Sequence, residues 1–520
     1  MSAAASVAAP ASAAAAASAA AAATVAATAA RVLTNRGYAV RKDMLSAAQT
    51  EYLRKELTVA PKVLERFAKE AKPFPLFLES PTRFYLPRAW GQLWLGEPEA
   101  DIVSDGLPLP ASIVFKGTPF PYQEDIIQTF VGPSTVVGKA GGGLICVPCG
   151  RGKTFMALNI GVRLGKRFIV VVDKEFLMNQ WKGEIERYIE GARIGIVQSD
   201  KQQLDPTKYD ITICMIQTIC QRDYPPGAFD GYGYTIFDEC HHLGAQYFSG
   251  VLKKIQTKWM LGLSATPDRD DGLTKVFEYY LGKPVYQEKI REPDPTVTVR
   301  TVWYESKDAA YSSVPTNWRG EVVTARLLSQ VVEHWPRTEV ILGHLKELMA
   351  DERRKILVLS ERRAHLEEIY TALGTDVTKG YYVGGMKQAD LDRNAETCQV
   401  LLATYQMASE AMNIKALNAM IMASPRKKVE QSTGRILRVA PDKRQVAPLI
   451  IDIVDQHDMY VNQYWQRKRY YKKCAYTVEN VGTPRKAGAA ARAEAEKEAV
   501  AAAAAGCTLR ITPGVTKKDE

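Results

Sequence analysis

The sequence predicts an α/β protein with two tandem doubly wound parallel sheets, a small N-terminal accessory region and disordered ends. Three observations predict this fold: short β-branched apolar runs, helical patterns between them, and a break that separates two such series. The first series covers residues 144–147, 168–172, 211–216, 234–237 and 260–263. The second covers 356–360, 400–403, 419–423 and 449–453. Helical patterns such as 155–164 and 179–189 fill the gaps.

The break between the two series is the proline-marked stretch 291–296. Shifts in composition mark the other boundaries, because the N-terminus is rich in Ala and Ser and the C-terminus in Ala, Glu, Lys and Arg. We therefore expect a disordered segment 1–30, an accessory region 31–110, α/β domains 111–290 and 291–481, and a tail 482–520. Ligands of open parallel sheets bind beyond the carboxyl ends of the strands, so the site is expected there.

Composition narrows the class of protein. The chain has 520 residues and a formal net charge of +10, which favours polyanionic partners. Eight cysteines in a chain of this length do not form a disulfide scaffold and indicate an intracellular, reducing compartment. A continuous apolar run of about 18 residues would indicate a membrane span, and the sequence has none. The Ala-rich N-terminus leaves organelle targeting open.

A glycine-containing loop at 147–154 follows a predicted strand and opens a predicted helix. Backbone N–H groups of such a loop approach phosphates closely, and the helix N-terminus adds positive potential. Lys153 is expected to reach the β- and γ-phosphates, and the Thr154 hydroxyl to ligate Mg²⁺. Val147 stands where the usual motif has its first glycine. The expected nucleotide contacts of this loop are Cys149, Gly150, Arg151, Gly152, Lys153 and Thr154.

Two acidic residues end the predicted strand 234–237. At that position Asp238 can hold Mg²⁺, and Glu239 can orient the attacking water. An isolated Asp-Glu pair is more often a solvated turn, but here it follows a phosphate loop in the same domain. The combination predicts a site that hydrolyses ATP.

A third element lies in the second domain, at residues 431–438. Arg435 and Arg438 are three residues apart, a spacing that places both on one face of a helix. Together with Gln431 they are candidates for neutralising charge on a transferring γ-phosphoryl group. The alternative is an ordinary helix face paired with acidic residues.

These three elements together resemble those of superfamily 2 helicases and translocases, which have two RecA-like lobes. The resemblance spans residues 112–456 and implies ATP and Mg²⁺ as cofactors. It implies adenine recognition by Tyr122 and Gln123, and coupling of hydrolysis to movement by His241 and the segment Ser264, Ala265 and Thr266. The segment from Ala403 to Ile414 is similar to the fifth motif of the family, which implies a nucleotide contact at Glu410. Ala411 and Asn413 stand where that motif usually has glycine and aspartate.

A narrower resemblance is to the XPB/UvsW branch and its members in large DNA viruses, including poxviruses. Arg269, Asp270 and Asp271 resemble the Arg-Glu-Asp element of that branch, with an aspartate at its centre. Residues 85–88 and 382–387 are similar to segments of the viral members. The resemblance implies work on duplex or branched DNA.

A translocase contacts phosphates and sugars rather than base edges, because it must step through any sequence. The candidate nucleic-acid contacts are Gln180, Trp181, Thr218, Arg269, Asp270, Asp271, Arg362, Lys387, Thr404, Arg467 and Lys468. Each could equally be an ordinary surface residue. In the aromatic and basic segment 465–473, helical spacing is expected to bury Trp465 and to expose Arg467 and Lys468. Residues 31–110 either grip duplex or brace the first lobe.

The leading hypothesis is a DNA-dependent ATPase that unwinds or remodels duplex, acting as a monomer on DNA. RNA or a transcription complex is a further possible partner, and the nucleus, a viral factory or a virion a possible location. One alternative is an RNA helicase or a duplex translocase that does not separate strands. Another is an inactive nucleic-acid-binding scaffold, for which the unusual residues Val147, Ala411 and Asn413 are the support.

Overall fold

The computed structural model describes residues 28–60, 73–132, 141–148, 150–244, 247, 249–265, 272–288, 293–410, 412, 414–434, 436–437, 439 and 441–486. The chain divides into two compact units, Met1–Lys289 and Ile290–Glu520, called here the first and second units. The described part of each unit is built on a large parallel sheet with helices against it. The expected α/β fold class is confirmed.

An N-terminal region precedes the large sheet of the first unit. Its elements are β1 (Arg31–Thr34), β2 (Gly37–Arg41), α1 (Ala47–Glu56), β3 (Thr58–Val59), β4 (Phe74–Pro75), β5 (Leu78–Glu79), β6 (Arg83–Leu86), α2 (Arg88–Leu95) and β7 (Ala100–Asp101). Five of these strands form a sheet in the order β5-β6-β2-β1-β7. Ser46 caps α1 with a reciprocal side-chain and backbone pair with Gln49, which fixes where that helix begins.

Arg88, the first residue of α2, joins this region to the large sheet. Its side chain is fully buried and donates to the carbonyl oxygens of Thr257 at 2.8 Å, Lys258 at 3.0 Å and Gly141 at 3.4 Å. Burial lowers the pKa of its guanidinium to about 10. Three carbonyl acceptors thus replace the water that this cation would otherwise need.

The rest of the first unit alternates strands and helices. Its elements are β8 (Val114–Phe115), α3 (Pro121–Val131), β9 (Gly142–Cys146), α4 (Lys153–Leu164), β10 (Phe168–Val172), α5 (Glu175–Tyr188), β11 (Ile189–Glu190), β12 (Ile194–Gln198), β13 (Lys201–Gln202), β14 (Ile211–Met215), α6 (Ile216–Gln221), β15 (Tyr234–Phe237), α7 (Ser249–Lys254), β16 (Trp259–Ser264), α8 (Thr274–Leu281) and β17 (Pro284–Gln287). The sheet order is β13-β12-β14-β10-β15-β16-β9-β17, and β13 is its antiparallel strand.

The second unit repeats the architecture. Its elements are β18 (Thr298–Tyr304), α9 (Ala309–Ser312), α10 (Thr324–Val332), α11 (Trp335–Met349), β19 (Ile356–Ser360), α12 (Arg363–Ala372), β20 (Lys379–Tyr382), α13 (Gln388–Thr397), β21 (Val400–Thr404), α14 (Tyr405–Glu410), β22 (Ala419–Met422), α15 (Glu430–Thr433), β23 (Leu449–Asp455), α16 (Asp458–Lys473) and β24 (Thr477–Val481). All neighbours in its sheet, β20-β21-β19-β22-β23-β18-β24, are parallel.

The strands that the sequence predicts are those with fully buried residues, such as β10 and β19. A strand covered on both faces shows as a continuous apolar run, so the pattern locates it well. The strands β12, β17, β18, β20 and β24 are additions to the predicted set. Four of them carry polar or partly exposed residues, and β18 carries an arginine and two threonines.

Within the described residues, no helix has both the length and the apolar character that crossing a membrane requires. The predicted disordered segment 1–30 and tail 482–520 lie almost wholly outside the described residues, which include only 28–30 and 482–486 of them.

Candidate nucleotide-binding and hydrolysis site

The predicted phosphate loop connects β9 to α4 in the first unit. Gly150 and Gly152 have φ values of +87° and +82°, in the left-handed region that other residues rarely adopt. A Cβ at Gly152 would lie 2.4 Å from the Gln123 Nε2 atom, so any other residue there would displace the Gln123 side chain. Lys153 and Thr154 are the first two residues of the 12-residue helix α4. Cys149 lies outside the described residues.

Tyr122, Gln123 and Arg151 form one packed group beside this loop. The Gln123 side chain accepts from the Phe120 backbone N–H at 3.0 Å and donates to the Arg151 carbonyl at 3.1 Å. The Arg151 guanidinium lies over the Tyr122 ring, 4.2 Å from its centroid, and donates to Glu288 at 3.0 Å. The buried amide of Gln123 is thus used within the protein to fix the loop. Its predicted role in adenine recognition stays a prediction.

Asp238 follows β15 at the carboxyl edge of the sheet, and its carboxylate is held by two neutral donors. The buried Trp181 donates its indole N–H to Oδ2 at 2.7 Å, and the Glu239 backbone N–H donates to Oδ1 at 3.0 Å. Burial and the neighbouring Glu239 raise the pKa of Asp238 to about 6. The prediction that Trp181 contacts nucleic acid is wrong, because its side chain is 1% exposed and is bonded to Asp238. It positions the carboxylate instead.

Glu239 connects the phosphate loop to the end of β16. Lys153 Nζ lies 4.0 Å from Glu239 Oε1, and His241 Nδ1 lies 3.4 Å from Glu239 Oε2. The same His241 nitrogen lies 3.2 Å from the hydroxyl of Ser264, the last residue of β16. The chain Lys153–Glu239–His241–Ser264 therefore crosses three adjacent strand ends, those of β9, β15 and β16. Ala265 follows it, and Thr266 lies outside the described residues.

The backbone at Glu239 is in the left-handed region, with φ of +42°. A residue with a Cβ adopts this conformation at a cost of about 1–3 kcal/mol, and such positions cluster at functional sites. The Glu239 carboxylate that lies 4.0 Å from Lys153 is therefore carried on a strained turn.

The residues present fit a magnesium-bound triphosphate. The two left-handed glycines precede a helix N-terminus, which is the geometry that binds phosphates. Thr154 and Asp238 would hold Mg²⁺, and Lys153 would meet the β- and γ-phosphates. When bound, the metal would neutralise charge that develops on the phosphoryl oxygens. Hydroxyl and carboxylate oxygens are the donors that Mg²⁺ prefers.

The phosphoryl-stabilising residues predicted in the second unit are only partly described. Arg435 and Arg438 lie outside the described residues, as do the side chains of Gln431 and Glu410. The prediction that Arg435 and Arg438 share one face of a helix is wrong, because α15 ends at Thr433 and the intervening Ile436 and Leu437 are not helical. Gly434, a weak helix former, stands at this end.

Several predicted nucleic-acid contacts are described, and two of them besides Trp181 have other roles. Thr218 is buried, and its hydroxyl accepts from the Ser199 backbone N–H at 3.0 Å. The prediction that Arg467 is exposed is wrong. Its guanidinium is buried and donates to both carboxylate oxygens of Asp452, at 2.9 and 2.8 Å. Helical spacing assigned Arg467 to the solvent side because it could not reveal Asp452, its partner on β23.

The other predicted contacts are more accessible. Lys387 is exposed at the start of α13, Gln180, Arg362 and Thr404 are half-buried, and Lys468 lies over the half-buried Trp465 ring at 4.6 Å. Arg269, Asp270 and Asp271 lie outside the described residues.

Sequence reasoning missed Glu288, which pairs with Arg151 of the phosphate loop. Glu288 directly follows β17, an edge strand that the apolar pattern did not predict. The run Val285-Tyr286 between Pro284 and Glu288 was the signal that could have located it.

Comparison with known proteins shows what the chain is similar to. Residues 116–269, which contain the phosphate loop and the Asp-Glu pair, match the family described as the res subunit of type III restriction enzymes. A mimivirus protein of Acanthamoeba polyphaga is 30% identical over 460 residues, covering 86% of each chain. Its name describes a candidate ATP-dependent RNA helicase. A protein of African swine fever virus, with the same description, is 27% identical over 69% of this chain and 74% of its own length.

Among solved structures, the helicase domain of Pyrococcus furiosus Hef aligns with a TM-score of 0.43 at 15% identity. It covers 67% of this chain and 98% of the Hef chain.

The fold and the site define a helicase of superfamily 2, a class whose members hydrolyse ATP. Within that class, the chain belongs to the family of helicases found in large DNA viruses. The predicted resemblance to the viral helicases is confirmed.

Proposed function

We propose that this protein is an ATP-dependent DNA helicase or translocase that uses ATP hydrolysis to unwind or remodel duplex DNA. The observation that carries the proposal is the chain Lys153–Glu239–His241–Ser264. It connects a phosphate-binding loop to the end of β16, beyond which the family's coupling motif continues.

Each residue of the chain has a chemical task in this proposal. Lys153 binds the β- and γ-phosphates, and Glu239, released from its contact with Lys153, orients the attacking water. Trp181 holds the carboxylate of Asp238 in place through its indole N–H. Through its contacts with Glu239 and Ser264, His241 transmits a displacement of Glu239 to the segment after β16. This supports coupling of ATP hydrolysis to movement of the protein.

The second unit would supply charge stabilisation for the transferring phosphoryl group. Arg435 and Arg438 are the residues proposed for it, with Gln431 and Glu410 as further contacts to the nucleotide. Guanidinium groups that meet charge developing in the transition state accelerate phosphoryl transfer by about 10³- to 10⁵-fold in related chemistry.

RNA is the second candidate substrate. The relatives from mimivirus and African swine fever virus are described by name as RNA helicases, which supports it. Because these relatives are viral, we propose an intracellular place of action, in a viral factory, the nucleus or a virion. A transcription complex is a proposed partner.

ATP turnover with different nucleic acids tests the proposal. The purified full chain is expected to hydrolyse ATP, with greater stimulation by single-stranded or duplex DNA than by RNA of equal length. Lys153→Ala is expected to reduce turnover by about 10³-fold or more while DNA binding is kept, since the lysine contacts phosphates of the nucleotide only.

Strand displacement on tailed, forked and four-way DNA then separates unwinding from translocation. Stimulation by RNA alone would replace DNA with RNA in the proposal. Normal turnover in Lys153→Ala would refute the assignment of the phosphate loop.

A further inference from the structure

A tight turn in the second unit presents a tryptophan to solvent. The turn lies between α9 and α10, where Thr316 and Val322 form an isolated β-bridge. Trp318, at its tip, is 86% exposed, the highest value for a large hydrophobic side chain among the described residues. A ring as exposed as this is accessible for stacking by a ligand.

Hydrogen bonds of the Asn317 side chain hold this turn in one conformation. The Asn317 side-chain oxygen accepts from the backbone N–H groups of Arg319 at 2.9 Å and Glu321 at 3.0 Å. Its amide nitrogen donates to the Glu321 carboxylate at 2.9 Å. Gly320 has φ of +77°, which a residue with a Cβ rarely adopts. The turn therefore holds Trp318 in a defined position, so little conformational entropy of the backbone would be lost when a ligand binds the ring.

A cation accompanies the ring. The Arg319 guanidinium lies over Trp318, 4.4 Å from the ring centroid. This contact covers part of one face, and the high exposure of the side chain leaves the rest accessible. The pair combines a stacking surface with a positive charge, which is the combination that binds single-stranded nucleic acid.

A cavity of about 650 Å³ lies on the helix that follows the turn. Arg326 of α10 and Arg362 line it, together with His334, Ser329 and one carboxylate, that of Glu333. Arg362 donates to the Ala325 carbonyl at 3.1 Å and so fastens α10 to the end of β19. His334 is 8% exposed, and its Nε2 atom has no hydrogen-bond partner within the described residues. The lining therefore offers unused donors and an excess of positive charge to an anion.

We infer that single-stranded nucleic acid contacts this part of the second unit, with a base stacked on Trp318 and a phosphate of the same strand bound near Arg326 and Arg362. The inference rests on the proposed function, because it gives the nucleic acid of that function a place on the second unit. Stacking accepts any base, which suits a protein that moves through all sequences. DNA and RNA share this chemistry.

The experiment measures binding of labelled 20-mers of deoxythymidine and of uridine to the full chain, by fluorescence anisotropy at several salt concentrations. Trp318→Ala is compared with Trp318→Phe, which keeps a ring at the same position. Loss of the ring is expected to weaken binding by about 5- to 150-fold, the fold-change equivalent to about 1–3 kcal/mol per stacked base. Trp318→Phe is expected to bind nearly as the unaltered chain does.

Salt dependence distinguishes stacking from charge. Trp318→Ala is expected to leave the slope of log K against log salt unchanged, while Arg326→Gln lowers it by about 0.7 because one phosphate contact is lost. ATP turnover without nucleic acid is expected to be unaltered in all three variants. Unequal effects on the two 20-mers identify the preferred nucleic acid.

Unchanged binding in Trp318→Ala, alongside nucleic-acid-stimulated ATP turnover in the unaltered chain, overturns the stacking inference and leaves the proposed function standing. An unaltered chain that neither binds nucleic acid nor hydrolyses ATP overturns both.

Discussion

Asp238 in the first unit and Asp455 in the second both lie at the carboxyl ends of parallel strands, β15 and β23, yet their surroundings are opposite. Asp455 is fully buried and receives two hydrogen bonds from the buried Arg337, at 2.6 and 3.0 Å, and one from the Tyr311 hydroxyl at 2.7 Å. Asp238 receives its bonds from an indole N–H and a backbone N–H, both neutral. One carboxylate is neutralised by a guanidinium, and the other keeps its negative charge for a ligand.

The difference teaches how to separate structural acids from chemical ones at strand ends. A buried acid with a bidentate arginine has its charge and its lone pairs used, so it is not available to a ligand. An acid held by neutral donors is oriented but still attracts a cation. Asp452 lies on the same strand as Asp455 and pairs with Arg467 of α16, so it belongs to the first kind.

The largest expected effect comes from breaking the neutralised pair. Arg337→Met leaves Asp455 buried without its cation, and we expect a loss of about 3–5 kcal/mol in the free energy of unfolding of the second unit. Urea denaturation measures it. Arg300→Met is the matched control, since its pair with Glu347 is on the surface and is expected to contribute about 1 kcal/mol or less. Equal losses in the two variants would contradict the distinction drawn here.

A smaller effect is expected from removing one of the two neutral hydrogen-bond donors to Asp238. Trp181→Phe deletes the indole N–H that orients Asp238, and we expect kcat for ATP to fall by about 10- to 100-fold, as for other groups that orient metal ligands. Steady-state turnover measures it.

Trp90→Phe controls for the lost volume in that experiment. Trp90 is also buried in the first unit, but its indole nitrogen has no hydrogen-bond partner within the described residues. Both variants are expected to lose stability, and only Trp181→Phe to lose activity. A parallel drop in kcat in both would assign the effect to packing.

The smallest effect concerns a neutral histidine in the second unit. Burial, and then the charge of Arg337, lower the pKa of His365 from 6.5 to about 3. The unfolded chain takes up a proton below about pH 6.5 that the folded chain refuses, so stability falls as the pH falls from there toward 3. The contribution is about 1.4 kcal/mol per pH unit. Denaturation at pH 7, 6 and 5 is expected to show a shallower slope for His365→Gln than for the unaltered chain.

The sequence was sufficient to predict the two sheets and the residues of the phosphate loop and the Asp-Glu pair. Buried parallel strands read as unbroken apolar runs, and glycines with a lysine before a helix leave a local signal. Trp181 and Arg467 were misjudged because their bonding partners are distant in sequence, 57 residues away for Trp181 and 15 for Arg467. The sequence of a helix does not show whether an apolar or basic side chain faces solvent or a buried carboxylate. The exposed β24 escaped prediction because it has little apolar pattern to detect.

Arg88 has a practical consequence for anyone dissecting this protein. A shortened version beginning near Ile113 would retain the strand ends at Gly141, Thr257 and Lys258 while discarding the guanidinium that seals their carbonyl groups. Those carbonyl oxygens would then need hydrogen bonds from water at a position that the intact protein keeps buried. Truncations are better made before Arg31, so that the N-terminal sheet is kept together with the large sheet of the first unit.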